Sequence, residues 1–125
     1  MKLSREADGA GPLISGFARG GFRVDDKIFL GLLLTPRRAD GWEPPAVEAL
    51  DEAALAPVLG LDPAPEFVLL GTGATLVRPP PALTQALAAR DIGVEVMDSR
   101  AAARAWGLLR GEGRWVAAAL YPWGG

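Results

Sequence analysis

Apolar residues in this chain come in short runs cut by glycine, proline and charge, and their period changes from strand-like to helix-like and back. Residues 13–17 (LISGF) form a first apolar run and predict a short strand. Phe22-Arg23-Val24 alternates apolar and charged, Asp25-Asp26 offers a turn, and residues 27–34 are apolar and β-rich. Together they predict a tight hairpin pairing 22–24 with 28–34. Nearly every position of the second arm is apolar, so both of its faces are expected to be covered. Residues 37–46, with Trp42 and Pro44-Pro45, predict a loop anchoring one large aromatic. Apolar positions 50, 54, 55, 58 and 59 follow helical spacing, and Pro57 predicts that this helix is short or broken.

The second half is more regular. Residues 66–70 read as a buried strand that leaves through Gly71-Thr72-Gly73. Pro79-Pro80-Pro81 leads into a helix over 82–90, carrying Leu83 and Leu87 on one face. A strand over 94–97 follows, then a helix over 100–110 capped by Asp98 or Ser99. Gly111-Glu112-Gly113 ends that helix, and 115–121 is a last strand. Strands joined by a helix run parallel, so 66–70 and 94–97 are expected side by side in one direction. The very short turn after the second helix leaves the last strand's direction open, with an antiparallel return as one option. The fold class is α/β: a βαβαβ C-terminal half extended or covered by an N-terminal β-hairpin. It forms one domain over 13–122, between a loose segment 1–12 and a tail 123–125.

Composition narrows the chemistry. The 125 residues are half hydrophobic and carry a net charge of -2, which fits one globular domain with no overall attraction to nucleic acid or an anionic surface. There is no cysteine and no histidine. Disulfides, thiolate sites, a cysteine nucleophile and a Ser-His-Asp triad are therefore excluded. The acidic residues lack calcium-loop spacing, and no metal or cofactor is expected. The start is polar and of mixed charge, and the longest strongly apolar stretch is far too short for a bilayer. The chain reads as cytoplasmic.

Gly71-Thr72-Gly73 resembles the opening of a nucleotide-binding loop but lacks its other parts. No third glycine marks a helix start, no lysine follows Lys27, and three prolines remove amides that a phosphate would use. The loop is expected to turn a tight corner. Its position is the more informative feature, because open α/β sheets bind ligands at the C-terminal ends of parallel strands. Gly71, Thr72 and Gly73 with Met97, Asp98 and Ser99 are the candidate rim of a pocket, and Ser99 opens a helix, where an anion can sit. Arg104, one turn from Arg100, is a candidate for a partner or ligand carboxylate, unless Asp98, Glu95 or Glu112 answers it. Glu112 and Arg114 bracket the last turn, where they could pair with each other. Trp106 is expected in the core, and Trp42 and Trp123 on a contact surface.

One further pattern joins these segments. Leu69-Leu70-Gly71-Thr72-Gly73, the triple proline and its helix, Ile92-Gly93-Val94-Glu95-Val96-Met97-Asp98-Ser99, and Glu112-Gly113-Arg114-Trp115-Val116-Ala117-Ala118-Ala119-Leu120 follow in an order that resembles the domain of unknown function 498 family. Gly20-Gly21-Phe22-Arg23-Val24 and the Trp42 loop fit it too, so the resemblance spans roughly residues 13–122. It implies a three-layer fold around a mixed central sheet and no established enzyme chemistry. The family includes a mitochondrial complex I assembly factor. The resemblance therefore implies protein partners, respiratory-complex subunits or assembly factors among them, with at most peripheral contact at an inner membrane. Relatives usually carry Cys, Thr, Tyr and Asn early in the last helix, where this chain has Ala103, Ala105, Trp106 and Gly107. Three classes of function stay open. One is a non-enzymatic assembly factor. Another is an anion-binding protein or enzyme using 71–73, Ser99, Arg104 and Glu112. The third is a structural homo-oligomer.

Overall fold

Hydrophobic alternation in the strands sorts the core into two faces of one sheet. The computed structural model describes residues 11–124, so the expected loose N-terminus lies almost wholly outside the described residues, as does Gly125. Strands β1 (Ile14–Ala18), β2 (Gly21–Val24) and β3 (Lys27–Phe29) form a small antiparallel sheet in that order. Strands β4 (Leu32–Leu34), β5 (Ala39–Gly41), β6 (Phe67–Gly71), β7 (Gly93–Met97) and β8 (Ala117–Leu120) form a second sheet, ordered β5-β4-β8-β6-β7. Helices α1 (Ala56–Leu59), α2 (Pro81–Ala88) and α3 (Ser99–Gly111) pack against it. The fold is a single mixed α/β domain.

Period-two alternation sends neighbouring residues to opposite layers. Leu33, Val68, Leu70, Ala117 and Ala119 face Leu50, Leu55 and Val58 and the α2 residues Leu83 and Leu87. Leu32, Leu34, Leu69, Ala118 and Leu120 face Phe22 and Val24 of the small sheet and Ala102, Ala103 and Trp106 of α3. Each face of the central sheet is thus covered, giving three layers. Trp106 is fully buried, as expected, and its indole N–H donates to the Pro12 carbonyl at 2.9 Å, tying the chain start to α3.

Some of these expectations need correction. The apolar run 27–34 is two strands in two sheets: β2 pairs with β3 through Val24 opposite Lys27, and β4 pairs with β8 and β5. The chain bends at Gly31, where a Cβ would stand 2.2 Å from the Trp42 carbonyl oxygen, so only glycine fits. Only the second piece is covered on both faces, since Ile28 and Leu30 are exposed while Leu32, Leu33 and Leu34 are buried. The stretch read as a helix over 48–59 is two 3-10 turns (Val47–Ala49 and Ala53–Leu55) followed by the one-turn α1. Leu50 is extended between the turns, and the Asp51 carboxylate accepts from the Ala54 amide to start the second. Its apolar positions still reach the core, and the expected interruption goes further than a break at Pro57, since only Ala56–Leu59 is α-helical.

The direction of the last strand, which the sequence leaves open, is parallel to β6: Val68 lies opposite Ala117 and Gly71 opposite Leu120. The reason is geometric. A helix after β7 runs back along the sheet, so a tight turn at its end sends β8 in the original direction. Finally, Trp42 is anchored in its loop as expected, and Trp42 and Trp123, the candidates for a contact surface, also brace the fold from within. Each is half-buried; Trp42 donates to the Ala54 carbonyl at 3.1 Å and meets the Tyr121 ring edge-on. Trp123 donates to the Gly21 carbonyl at 2.6 Å and meets Phe17 edge-on.

Candidate functional site

The parallel order β8-β6-β7 puts three strand ends on one edge, which is where α/β sheets expose loops. Gly71 ends β6, Met97 ends β7 and Leu120 ends β8, so Gly71-Thr72-Gly73, Met97-Asp98-Ser99 and Tyr121 meet there. The structure brings together six of the residues singled out in the sequence. Their polar groups bond mainly to one another. The Thr72 amide donates to the Met97 carbonyl at 3.0 Å. The Thr72 hydroxyl donates to the Thr75 carbonyl at 2.8 Å and accepts from the Val77 amide at 2.9 Å, which folds the loop onto itself. The Gly73 amide donates to the Ser99 hydroxyl at 2.8 Å, and the Ser99 amide donates back to the Gly73 carbonyl at 2.8 Å.

Asp98 is the cap of α3. Its carboxylate accepts from the Ala101 amide at 2.9 Å, so a side chain of this protein occupies the positive end of the helix. Ser99 is fully buried just inside the first turn. Gly71 explains the close approach of α3: a Cβ there would stand 2.8 Å from the Ser99 Cα and 2.9 Å from the Leu120 side chain. The loop that looked like a phosphate cradle turns a corner and clamps α3 to the sheet.

Arg104, Glu112 and Arg114 do not converge on Ser99. Glu112 follows the last turn of α3, about 20 Å from its start by the rise of a 13-residue helix. Arg114 pairs with Glu66 at 2.7 Å, ahead of β6 and so at the opposite edge of the sheet. The hydrogen bond from Arg114 holds the Glu66 carboxyl below its ordinary range, and the same bond raises Arg114. The expected bracket of Glu112 and Arg114 is thus a Glu66–Arg114 pair. The neighbouring Arg110 guanidinium donates to the Arg114 carbonyl and secures the same turn. Arg100 lies over the Trp123 ring, 4.9 Å from its centre. Arg104 lines a surface groove of about 500 Å³ between α3 and β1.

Sequence reading passed over Tyr121. Its amide donates to the Gly71 carbonyl at 2.8 Å, placing it at the same strand edge. Its side chain is only 9 % exposed and its hydroxyl has no hydrogen-bond partner among the described residues. Burial first, and then the nearby Glu48 charge, push its pKa up to about 12. Its place just after an apolar last strand was the available signal. Among the described residues, no three Asp or Glu side chains group closely enough to hold a metal ion, and no helix is long and apolar enough to cross a membrane.

The family model described as "Protein of unknown function (DUF498/DUF598)" matches residues 14–121. Among curated proteins, the human NADH dehydrogenase [ubiquinone] 1 alpha subcomplex assembly factor 3 is 32% identical over 121 residues, covering 96% of this chain and 65% of that protein. Its mouse counterpart is 31% identical over 110 residues, covering 87% of this chain and 60% of that protein. The chain therefore spans about three fifths of the length of these relatives. An uncharacterised protein of Rhodobacter capsulatus is 35% identical over 120 residues and matches nearly end to end, 94% of this chain and 91% of that one. A crystal structure of a Bordetella parapertussis protein superposes with a TM-score of 0.80 at 30% identity, covering 89% of this chain and 95% of that one. A Bordetella pertussis protein described as a Mth938-like domain superposes with a TM-score of 0.78 at 25% identity, covering 92% and 88%.

Proposed function

We propose, since this chain belongs to the DUF498/DUF598 family, that it is an assembly or accessory factor that works by holding protein partners rather than by catalysis. The observation that carries this reading is the extent of the match to proteins named as NADH dehydrogenase assembly factors. It covers 87% to 96% of this chain, so the shared part is a whole folded unit and not one loop. The strand-edge geometry supports the same reading. Polar groups that a small substrate would need at this edge are largely spent on internal bonds, and the helix end already holds Asp98. In this reading the clamp of 71–73 on 97–99 sets the position of α3, and partners meet the outer surfaces. The partners are subunits of a respiratory NADH dehydrogenase or other assembly factors, met on the cytoplasmic side with peripheral contact at the inner membrane.

The test is capture of the tagged protein from its native host in mild detergent, followed by mass spectrometry. Recovery of NADH dehydrogenase subunits or their assembly factors supports the reading. Recovery of this chain alone counts against it and favours a homo-oligomer.

A further inference from the structure

The groove between β1 and α3 has a chemistry of its own. Along α3 the outward stripe is Arg100, Arg104, the adjacent pair Gly107 and Leu108, and Gly111, all exposed, with successive steps of three or four. Leu108 is 68% exposed and faces the groove opposite Phe17 of β1, which is 39% exposed. Gly16 and Gly107 also line it, and among the described residues nothing lies within 4 Å of where either Cβ would stand. Two apolar side chains thus flank a floor over which another backbone can approach closely. Charge at this face is one-sided. The groove's lining holds Arg104 and no acidic residue, and the exposed Arg100 stands one turn away on the same helix, in a chain whose net charge is -2. Arg104 makes no ion pair among the described residues.

We propose that this groove docks an acidic amphipathic helix of a partner protein. The proposal rests on the reading that the chain works through protein partners, and gives that reading a surface and a chemistry. Apolar side chains of the helix would lie between Leu108 and Phe17, and its carboxylates would meet Arg104 and Arg100 one turn apart. A helix fits better than an added strand. The β1 edge is broken by a bulge between Ile14 and Gly16, where the Ser15 hydroxyl bonds the Arg23 carbonyl, and a bulge interrupts the row of free backbone groups that strand addition needs. A second copy does not supply the helix, since α1 (APVL), α2 (PALTQALA) and α3 (SRAAARAWGLLRG) contain no Asp or Glu. A concave groove on a net-negative protein suits an anionic lipid surface less well than a row of side chains.

The experiment places a photo-cross-linking amino acid at Leu108 of the full-length chain in the native host, with a control at Asp51 on the opposite layer. The expected result is one dominant adduct at 108 and not at 51. Its cross-linked tryptic peptide should have apolar residues at helical period and an excess of Asp and Glu. That adduct should fall about tenfold, equivalent to 1.4 kcal/mol, with Arg104→Glu. Gly107→Leu, which fills the groove without changing charge and favours helix, should abolish it at an unchanged or raised melting temperature. No adduct at 108, an adduct indifferent to both variants, a neutral or basic peptide, a lipid adduct, or an adduct to this chain itself overturns the proposal. An acidic helix from a protein unrelated to NADH dehydrogenase upholds the groove and removes the assembly reading. NADH dehydrogenase subunits captured by the whole protein, with none cross-linked at 108, do the reverse.

Discussion

Ser99 and Gly73 hold each other by two hydrogen bonds of 2.8 Å, one from the Gly73 amide to the Ser99 hydroxyl and one from the Ser99 amide to the Gly73 carbonyl. Both residues are buried, so this clasp fastens the exit of β6 to the start of α3 out of reach of water. Ser99→Ala keeps the backbone bond but leaves the buried Gly73 amide without an acceptor. A loss of about 1–3 kcal/mol of stability is expected. Urea unfolding should show a lower midpoint with an unchanged slope.

Gly71→Ala tests the same junction by volume. The added methyl would sit 2.8 Å from the Ser99 Cα and 2.9 Å from the Leu120 side chain, and the first of these neighbours is main chain. Overpacking of this kind costs about 1–3 kcal/mol. Gly107→Ala, in open space on the same helix, is the control and should be neutral or slightly stabilising by thermal melting.

Tyr121→Phe should be neutral or stabilising by up to about 1 kcal/mol at pH 7, because it deletes a buried hydroxyl with no partner among the described residues. The pH dependence carries a sign. The folded state keeps the Tyr121 proton up to about 12, while the unfolded chain releases it near the ordinary value of 10.0. Stability therefore falls as pH rises through that window. Denaturation of parent and variant across it should show a shallower fall for Tyr121→Phe.

The Glu66–Arg114 pair gives the opposite dependence. Glu66 titrates below its ordinary value when folded, so the pair's contribution is present above the ordinary glutamate pKa and is lost as pH falls through the lowered one. Both groups are solvent-exposed, so the effect is small. Arg114→Gln should melt slightly below the parent at pH 7, and the gap should close in acid.

The C-terminal half was legible because its elements obey local rules. Leu83 and Leu87 mark one helix, Asp98 caps the next, and Gly71 and Gly113 stand where side chains would not fit or φ is positive. The first half was harder because its elements are set by distant partners. The break at Gly31 depends on the carbonyl of Trp42, and the 47–59 stretch reaches the core through separate short turns rather than one helix. The strand-edge cluster was found because chain order places strand ends together. The internal use of its polar groups was not readable, since Thr72 and Ser99 look the same in sequence whether they bond a ligand or a loop. Glu66, Arg114's actual partner, is 48 residues away in the chain, a distance that spacing alone does not bridge.

The most direct test of an assembly role is deletion of the encoding gene in the native host, with the NADH dehydrogenase read by native gel and in-gel NADH oxidation. Loss of the full-size complex with accumulation of smaller subassemblies, restored by the intact gene, is the predicted result. A full-size complex at parental level in the deletion strain would contradict it.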